Sequence, residues 1–566
     1  MAKTELHLKS QEFAGLSSEE HAEILRNMRI ALIKSMGYTD EQLGRPFVAV
    51  IHSWNEVSPG HFHLKPIAEE VKMSIREAGG TPAEIIIPGI CGSMSGGGTG
   101  AFRYNVAYRD FAAALVEIMI NLNQCDAAVL IATCDHVIPA FAMGAALTNV
   151  PSIIVTGGYM EPGEYKGQPL TSTSTIKSYG RYKRGLITKD DLQEIVNRAC
   201  PGPGACPDMA TANTMASVIE ALGLCLPGNT AVAAMSADLV RIAKEAGRQV
   251  MELFKAGIRP RDIITREACE NAMRLVLAVG GSPNALVHLA AIAKQVDIDI
   301  DWERWDELSR ETPFICSVLP NNPNLTMKDL DRAGRVIAVM KELEPLLNLD
   351  TLTVTGKTLR ENLTGVSVYD RSVIRPLDDP YSSDGGLVIL KGNLAPEGAI
   401  MKKSACPPSM LKHRGPAKVF DSEDDAMVGL MEGKIKPGDV VVVRYEGPKG
   451  SPGGRKVTTP MHSIVGLGLT DSVALVTDGA FSGTNLGAGI GYVSPEAASG
   501  GPIAIVRDGD EIEIDVEGRR IDLLIPEEEL NKRLAEWQAP PPKETKGVLG
   551  LFARSASSYP TGAYVF

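Results

Sequence analysis

Short apolar runs alternate with amphipathic stretches over the first third of the chain. Phe47-Val48-Ala49-Val50-Ile51, Ala83-Glu84-Ile85-Ile86-Ile87, Ala127-Ala128-Val129-Leu130-Ile131 and Ser152-Ile153-Ile154-Val155 each have the length of a strand. Stretches of helical character, residues 63–78 and 109–123, stand between them. Near-continuous apolar runs separated by helices predict a parallel sheet covered on both faces. Ahead of them, Ser17-Ser18-Glu19-Glu20 predicts a capping box opening an amphipathic helix through about Met36. Residues 191–344 read as mostly helical, with an Ala-rich centre at 286–296.

The pattern then changes. Residues 374–386, rich in Pro, Asp, Ser and Gly, read as an interdomain connection. Beyond it, 439–443, 473–476 and 503–506 predict strands, and Asp508-Gly509 predicts a hairpin into an alternating, half-exposed strand at 511–516. Pro526-Glu527-Glu528-Glu529 predicts the start of a last helix. The expected class is α/β. An N-terminal parallel-sheet domain with a helical extension occupies residues 1–375, and a C-terminal β-rich, barrel-like domain occupies 385–566.

The chain's 566 residues are enough for at least two domains with sizeable cores. A hydrophobic content of 44% and a charged content of 22% are ordinary for a soluble globular protein. The net charge of −12 argues against nucleic acid and anionic membrane as partners. Residues 1–9 have no apolar core of a signal peptide, and no apolar stretch is long enough to span a bilayer. Nine cysteines without framework spacing predict reduced thiols and a cytoplasmic enzyme.

In parallel sheets ligands bind beyond the carboxyl ends of the strands. Those ends here are His52-Ser53-Trp54-Asn55-Glu56, Gly89-Ile90-Cys91-Gly92-Ser93, Cys134-Asp135-His136 and Thr156-Gly157-Gly158. Cys206 lies in the loop Gly202-Pro203-Gly204-Ala205-Cys206-Pro207-Asp208 ahead of a helical stretch. Thiols on loops beside acids suit a soft-metal site; two free buried cysteines are the alternative. In the Gly-rich loop at 95–100, the backbone of Gly97, Gly98 and Thr99, together with nearby Ser93, is placed to meet a substrate carboxylate or phosphate, or simply to turn tightly. The loop has neither a Walker lysine nor Gly-x-Gly-x-x-Gly spacing, which excludes the common nucleotide folds.

Longer motifs span the chain in one order. They include Ser53-Trp54-Asn55-Glu56, Cys134-Asp135, Thr211-Ala212-Asn213-Thr214-Met215, Gly392-Asn393-Leu394-Ala395-Pro396-Glu397-Gly398, His413-Arg414-Gly415-Pro416-Ala417, Arg444-Tyr445-Glu446-Gly447-Pro448-Lys449-Gly450 and Thr477-Asp478-Gly479-Ala480-Phe481-Ser482-Gly483. In these the chain resembles the dihydroxy-acid dehydratase / 6-phosphogluconate dehydratase family, which includes sugar-acid dehydratases. The resemblance implies a hydro-lyase that converts a 2,3-dihydroxy acid into a 2-oxo acid, with an iron–sulfur cluster and a divalent cation as cofactors. It implies Cys134 and Cys206 as cluster ligands, Asp135 and Glu446 as cation ligands, and Ser482 as the base. A homodimer or homotetramer is implied as well. A serine needs a nearby cation to act as a base at all.

The departures gather at the chemistry. Where the family has Pro-Cys-Asn-x-His this chain has Pro59-Gly60-His61-Phe62-His63, and Cys-Asp-Lys has become Cys134-Asp135-His136. The cation aspartate of a Ser-Asp-Gly loop is absent from Gly92-Ser93-Met94, and Cys-Gly-Gly-Met-Tyr has become Cys206-Pro207-Asp208-Met209-Ala210. Three readings stay open. A cluster persists with Cys91, His61 or His63 as substitute ligand; one metal ion (Mg²⁺, Mn²⁺, Zn²⁺ or Fe²⁺) sits among Asp135, His136 and Glu446 with Cys134 or Cys206; or no metal binds. The expected activity is dehydration of a sugar acid, with Ser482 and His136 catalytic. An isomerase or epimerase acting at C2, or a non-catalytic binding paralogue, are the alternatives.

Overall fold

The computed structural model of the protein describes residues 8–11, 18–95 and 100–566. Four strands, β1 (Phe47–His52), β2 (Thr81–Ile86), β3 (Ala127–Ala132) and β4 (Ser152–Thr156), form one sheet in the order β2-β1-β3-β4, every pair parallel. Strands β3 and β4 are buried throughout, β4 because Leu224 covers its outer side, its carbonyl accepting the Ile154 N–H at 2.9 Å, whereas β2 alternates at the opposite edge. Pro82 is tolerated for the same reason. Helices Leu64–Glu77, Tyr104–Leu122 and Val137–Thr148 make the crossovers. The Ala-rich stretch forms the helix Asn284–Lys294, buried from Asn284 to Ala293.

The second half is an eight-stranded sheet: β5 (Val388–Leu390), β6 (Gly398–Met401), β7 (Lys412–Phe420), β8 (Val440–Val443), β9 (Ala474–Thr477), β10 (Gly489–Ser494), β11 (Glu511–Asp515) and β12 (Arg520–Leu523). Its order is β12-β11-β7-β8-β9-β10-β6-β5, with β7 to β10 parallel. The two edges nearly close on each other, because Lys391 N–H donates to the Arg519 carbonyl at 3.0 Å and Ile521 N–H to the Lys391 carbonyl at 3.2 Å. Closure of this kind removes unpaired strand edges. The unbroken valines of β8 follow from burial on both sides. Val440 and Val442 fill the barrel with Ile490, Ile512 and Ile521, while Val441 and Val443 join the main α/β core.

Several local expectations need correction. Residues 503–506 are not a strand: the segment Pro502–Ile505 is a buried 3₁₀ turn, opened by a proline that cannot donate to a ladder. The alternation of β11 is present, but its hairpin closes after it, through 516–519 into β12, and Asp508-Gly509 only leads in. The helix Glu527–Glu536 starts at Pro526 and is followed by a further helix, Gly547–Ser555. The first long helix is Glu19–Lys34, and its cap is Ser18, whose Oγ accepts the His21 N–H; Ser17 lies outside the described residues. Among the described residues no helix is long and apolar enough to cross a membrane.

Candidate active site

The carboxyl ends of the parallel strands of both sheets meet at one cavity of about 330 Å³. Cys91, Ser93, Cys134, Asp135, Cys206 and Ser482 all line it, joined by Lys456 and Phe102. Gly97, Gly98 and Thr99 lie outside the described residues.

Cys134 sits at the turn between β3 and the helix Val137–Thr148 with φ +66°. A left-handed backbone costs a non-glycine residue about 1–2 kcal/mol, and such strain collects at functional sites. The turn faces Cys134 and Asp135 into the cavity while His136 goes behind it. The Cys91 and Cys134 thiols are hydrogen-bonded to each other, and this draws Cys91 down to about 7. The same bond, with burial, holds Cys134 well above the usual thiol range, and burial raises Cys206. Of the two thiols, Cys91 is therefore the one that ionises first. In cluster-free protein, alkylation of Cys91 should rise through a midpoint about 7, and Cys134→Ala should move that midpoint up towards an ordinary thiol. Iodoacetamide rates against pH, read by peptide mass spectrometry, check this; an unshifted midpoint in the variant contradicts it.

Three thiols facing one cavity are a soft donor set suited to an iron–sulfur cluster. A cysteine at 60 would be in the way: a Cβ built on Gly60 falls 2.2 Å from Cys134 Sγ. Its place as third thiol on the cavity wall is taken by Cys91. His61 and His63 are neither ligands nor exposed bystanders. His61 Nδ1 meets Ser53 Oγ at 2.8 Å and Nε2 the Ile90 carbonyl at 3.1 Å, while His63 Nε2 donates to the Gly157 carbonyl at 2.6 Å. Burial lowers both, His61 to about 4.

The mononuclear set of Asp135, His136 and Glu446 does not assemble. Among the described residues no group of three or more His, Cys, Asp or Glu side chains is placed to hold one metal ion. His136 is buried behind the cavity, edge-on to His288 at 4.9 Å, and burial with the nearby Lys456 charge keeps it neutral. Glu446 is buried beneath the cavity wall. Its Oε1 accepts the Glu423 N–H at 2.8 Å and lies 3.6 Å from Nη1 of Arg455, whose Nε lies 2.7 Å from Glu423 Oε2. Among the described residues Asp135 is thus the only carboxylate lining the cavity, and its Oδ2 receives Lys456 Nζ at 2.6 Å. Mg²⁺ binds through one or two carboxylates, and the one on this wall is already engaged by an ammonium, so this set does not fit a hard divalent cation.

Ser482 stands on the loop that leaves β9. Its Oγ accepts the Thr484 N–H at 3.3 Å and the Thr484 hydroxyl at 3.0 Å. The neighbouring carbonyls are pinned: Phe481 by Asn284 Nδ2 at 2.9 Å and Tyr492 Oη at 3.0 Å, and Gly483 by Lys402 Nζ at 2.8 Å. Lys402 is buried and lowered to about 7, and burial lifts nearby Asp208 to about 6. Asp478 anchors the loop's base by accepting the N–H groups of Tyr445, Glu446 and Ala497.

Lys456, Lys402 and Asn284 escaped the sequence reading. Lys456 follows Gly453-Gly454-Arg455, and a lysine after glycines ordinarily reads as solvated. The available signal was its position between two functional motifs, immediately ahead of the helix Thr458–Gly466.

Residues 45–362 match the family model described as dihydroxy-acid/6-phosphogluconate dehydratase N-terminal, and residues 372–563 match its C-terminal counterpart. The chain is 48% identical over 535 residues to a dihydroxy-acid dehydratase of Acetivibrio thermocellus, covering 94% of this chain and 96% of that one. Proteins of the same name from Moorella thermoacetica and Methanosarcina barkeri are 46% and 45% identical, each with 94% of this chain and 97% of the relative covered.

Proposed function

The chain belongs to the dihydroxy-acid/6-phosphogluconate dehydratase family, and from that premise we infer that it is a hydro-lyase converting a 2,3-dihydroxy carboxylic acid, a sugar acid, into a 2-oxo acid. The observation that carries the reading is the single cavity that gathers Ser482, three thiols and the Asp135–Lys456 pair. The chemistry needs a base at C2 and charge stabilisation at both ends, because an α-proton is weakly acidic and hydroxide leaves poorly.

Ser482 takes the C2 proton. Its Oγ already accepts two hydrogen bonds from Thr484, which favour the deprotonated oxygen. Cys91, Cys134 and Cys206 would hold an iron–sulfur cluster. When bound, such a cluster supplies a Lewis-acidic iron for the departing 3-hydroxyl. A polyhydroxylated substrate is supported by the wall: eight of the eighteen lining residues carry a hydroxyl, among them Ser172, Thr173, Thr175 and Thr459. Ile24, Met28 and Leu32 form an exposed apolar stripe on the helix Glu19–Lys34, which supports a homodimer or homotetramer; nine free cysteines support a reducing compartment, the cytoplasm.

The test is 2-oxo acid release by anaerobically reconstituted protein from a panel of aldonic acids, with branched-chain 2,3-dihydroxy acids in parallel. Release from an aldonic acid is the expected result. Release only from branched-chain acids overturns the sugar-acid assignment. Binding of the acids with C2 deuterium exchange and no 2-oxo acid turns the reading into an isomerase.

A further inference from the structure

We propose that the Lys456 ammonium, seated on Asp135, is the resident cation of this cavity: it binds the carboxylate and 2-hydroxyl of the acid and carries the charge that develops during C2 deprotonation, so that no divalent ion is required. The proposal deepens the hydro-lyase reading and rests on it for the identity of the ligand.

Four observations support it. Lys456 Nζ lies 2.6 Å from Asp135 Oδ2, with its side chain 3% exposed and that of Asp135 30% exposed. The ammonium also stands 5.5 Å from the centre of the Phe102 ring, whose π face favours a cation. Second, the lysine segment is laced to the base's own loop: Val457 N–H donates to the Ala480 carbonyl at 2.8 Å and Ala480 N–H to the Arg455 carbonyl at 2.8 Å. Lys456 and Ser482 therefore share one rigid frame. Third, successive residues of an extended segment face opposite sides. Arg455 turns inward to Glu423 and Glu446, and Lys456 turns out to the cavity. The carboxylate that might have coordinated a metal is thus neutralised by the neighbour of the residue that replaces the metal. Fourth, among the described residues Asp135 is the only carboxylate on the wall, and it is already paired.

The step balances without an oxidant or reductant. Ser482 Oγ, as the alkoxide, takes the C2 proton, and the C2–H electron pair delocalises into the carboxylate beside Lys456. That pair then returns to form the C2–C3 double bond while the C3–O bond breaks towards oxygen. The departing hydroxide recovers that proton from Ser482 Oγ and leaves as water, which restores the alkoxide, and the enol tautomerises to the 2-oxo acid.

Manganese titration of the cluster-loaded protein, followed by electron paramagnetic resonance, tests the assignment without any turnover. The unaltered chain is expected to show no saturable Mn²⁺ equivalent, whereas Lys456→Glu, which sets a second carboxylate beside Asp135, should bind Mn²⁺ at least about ten-fold more tightly. One equivalent bound by the unaltered chain and lost in Asp135→Asn overturns the proposal. With a turned-over acid in hand, dialysis against EDTA should leave the rate unchanged. Lys456→Met should lower kcat/KM by about 10²–10³, the scale of one lost transition-state donor, with partial recovery in Lys456→Arg. A rate that EDTA abolishes and Mg²⁺ restores also overturns it. If no acid is turned over, the hydro-lyase reading falls, and the cation assignment is decided by the manganese titration alone.

Discussion

Ser482→Ala is expected to lower kcat for the cognate acid by about 10²–10⁴, the range that one positioned proton-transfer group supplies, while the protein stays folded. The fold should hold because the lost oxygen only accepts bonds from its neighbour Thr484, whose hydroxyl keeps a second partner in His462 Nε2 at 3.2 Å. The loop itself is fixed by other atoms, namely the Phe481 and Gly483 carbonyls and the Asp478 carboxylate. KM should change little, since the acid's charge is met by Lys456 and not by the serine. Loss of C2 deuterium exchange in the variant would place the defect at proton abstraction. Activity retained within a few-fold, with circular dichroism unchanged, would remove Ser482 from the chemistry.

Arg455→Met is expected to destabilise the chain by about 3–5 kcal/mol, the cost of leaving a buried ion pair without one partner. The guanidinium sits 2.7 Å from Glu423 and 3.6 Å from Glu446, carboxylates whose side chains are each 1% exposed. Burial already pushes Glu423 up to about 7 despite Arg455 beside it. A carboxyl raised in the folded state binds more protons there than in the unfolded chain, so its contribution is most favourable at low pH and is lost as pH rises from about 4.5 to about 7. Removing the arginine raises Glu423 further and carries that loss to higher pH. The variant should therefore be weakened less at pH 5 than at pH 8. Urea midpoints at the two pH values check this, and Glu423→Gln with Glu446→Gln in the same chain should recover much of the loss. Equal destabilisation at both pH values would mean that packing, not charge, is what Arg455 supplies.

Both predictions depend on residues that differ in how visible they were along the chain. Ser482, Cys134 and Cys206 stood in motifs at strand ends, where loop position alone marks a rim. Cys91 is legible for the same reason, and it lies on the cavity wall. Glu446 was misplaced because a carboxylate in a motif says nothing about which side of the wall it faces. Arg455 and Glu423, which decide that, come from a loop and from the first turn of the helix Glu423–Met431 respectively. His136 was misjudged for a related reason: the left-handed turn at Cys134 directs Asp135 to the cavity and His136 into the core. The segment 503–506 has strand-like residues but a proline at its head and no neighbour to pair with, so tertiary packing took it as a turn.

The amino-acid order by itself determined the two-part α/β architecture, the parallel sheet, the rim where chemistry gathers and the family, because periodicity and strand-end motifs are local properties. Only the tertiary structure decided what fills the centre of that rim. An ion pair between Asp135 and Lys456 joins residues 321 positions apart, and Coulomb attraction depends on distance in space, which no local pattern encodes.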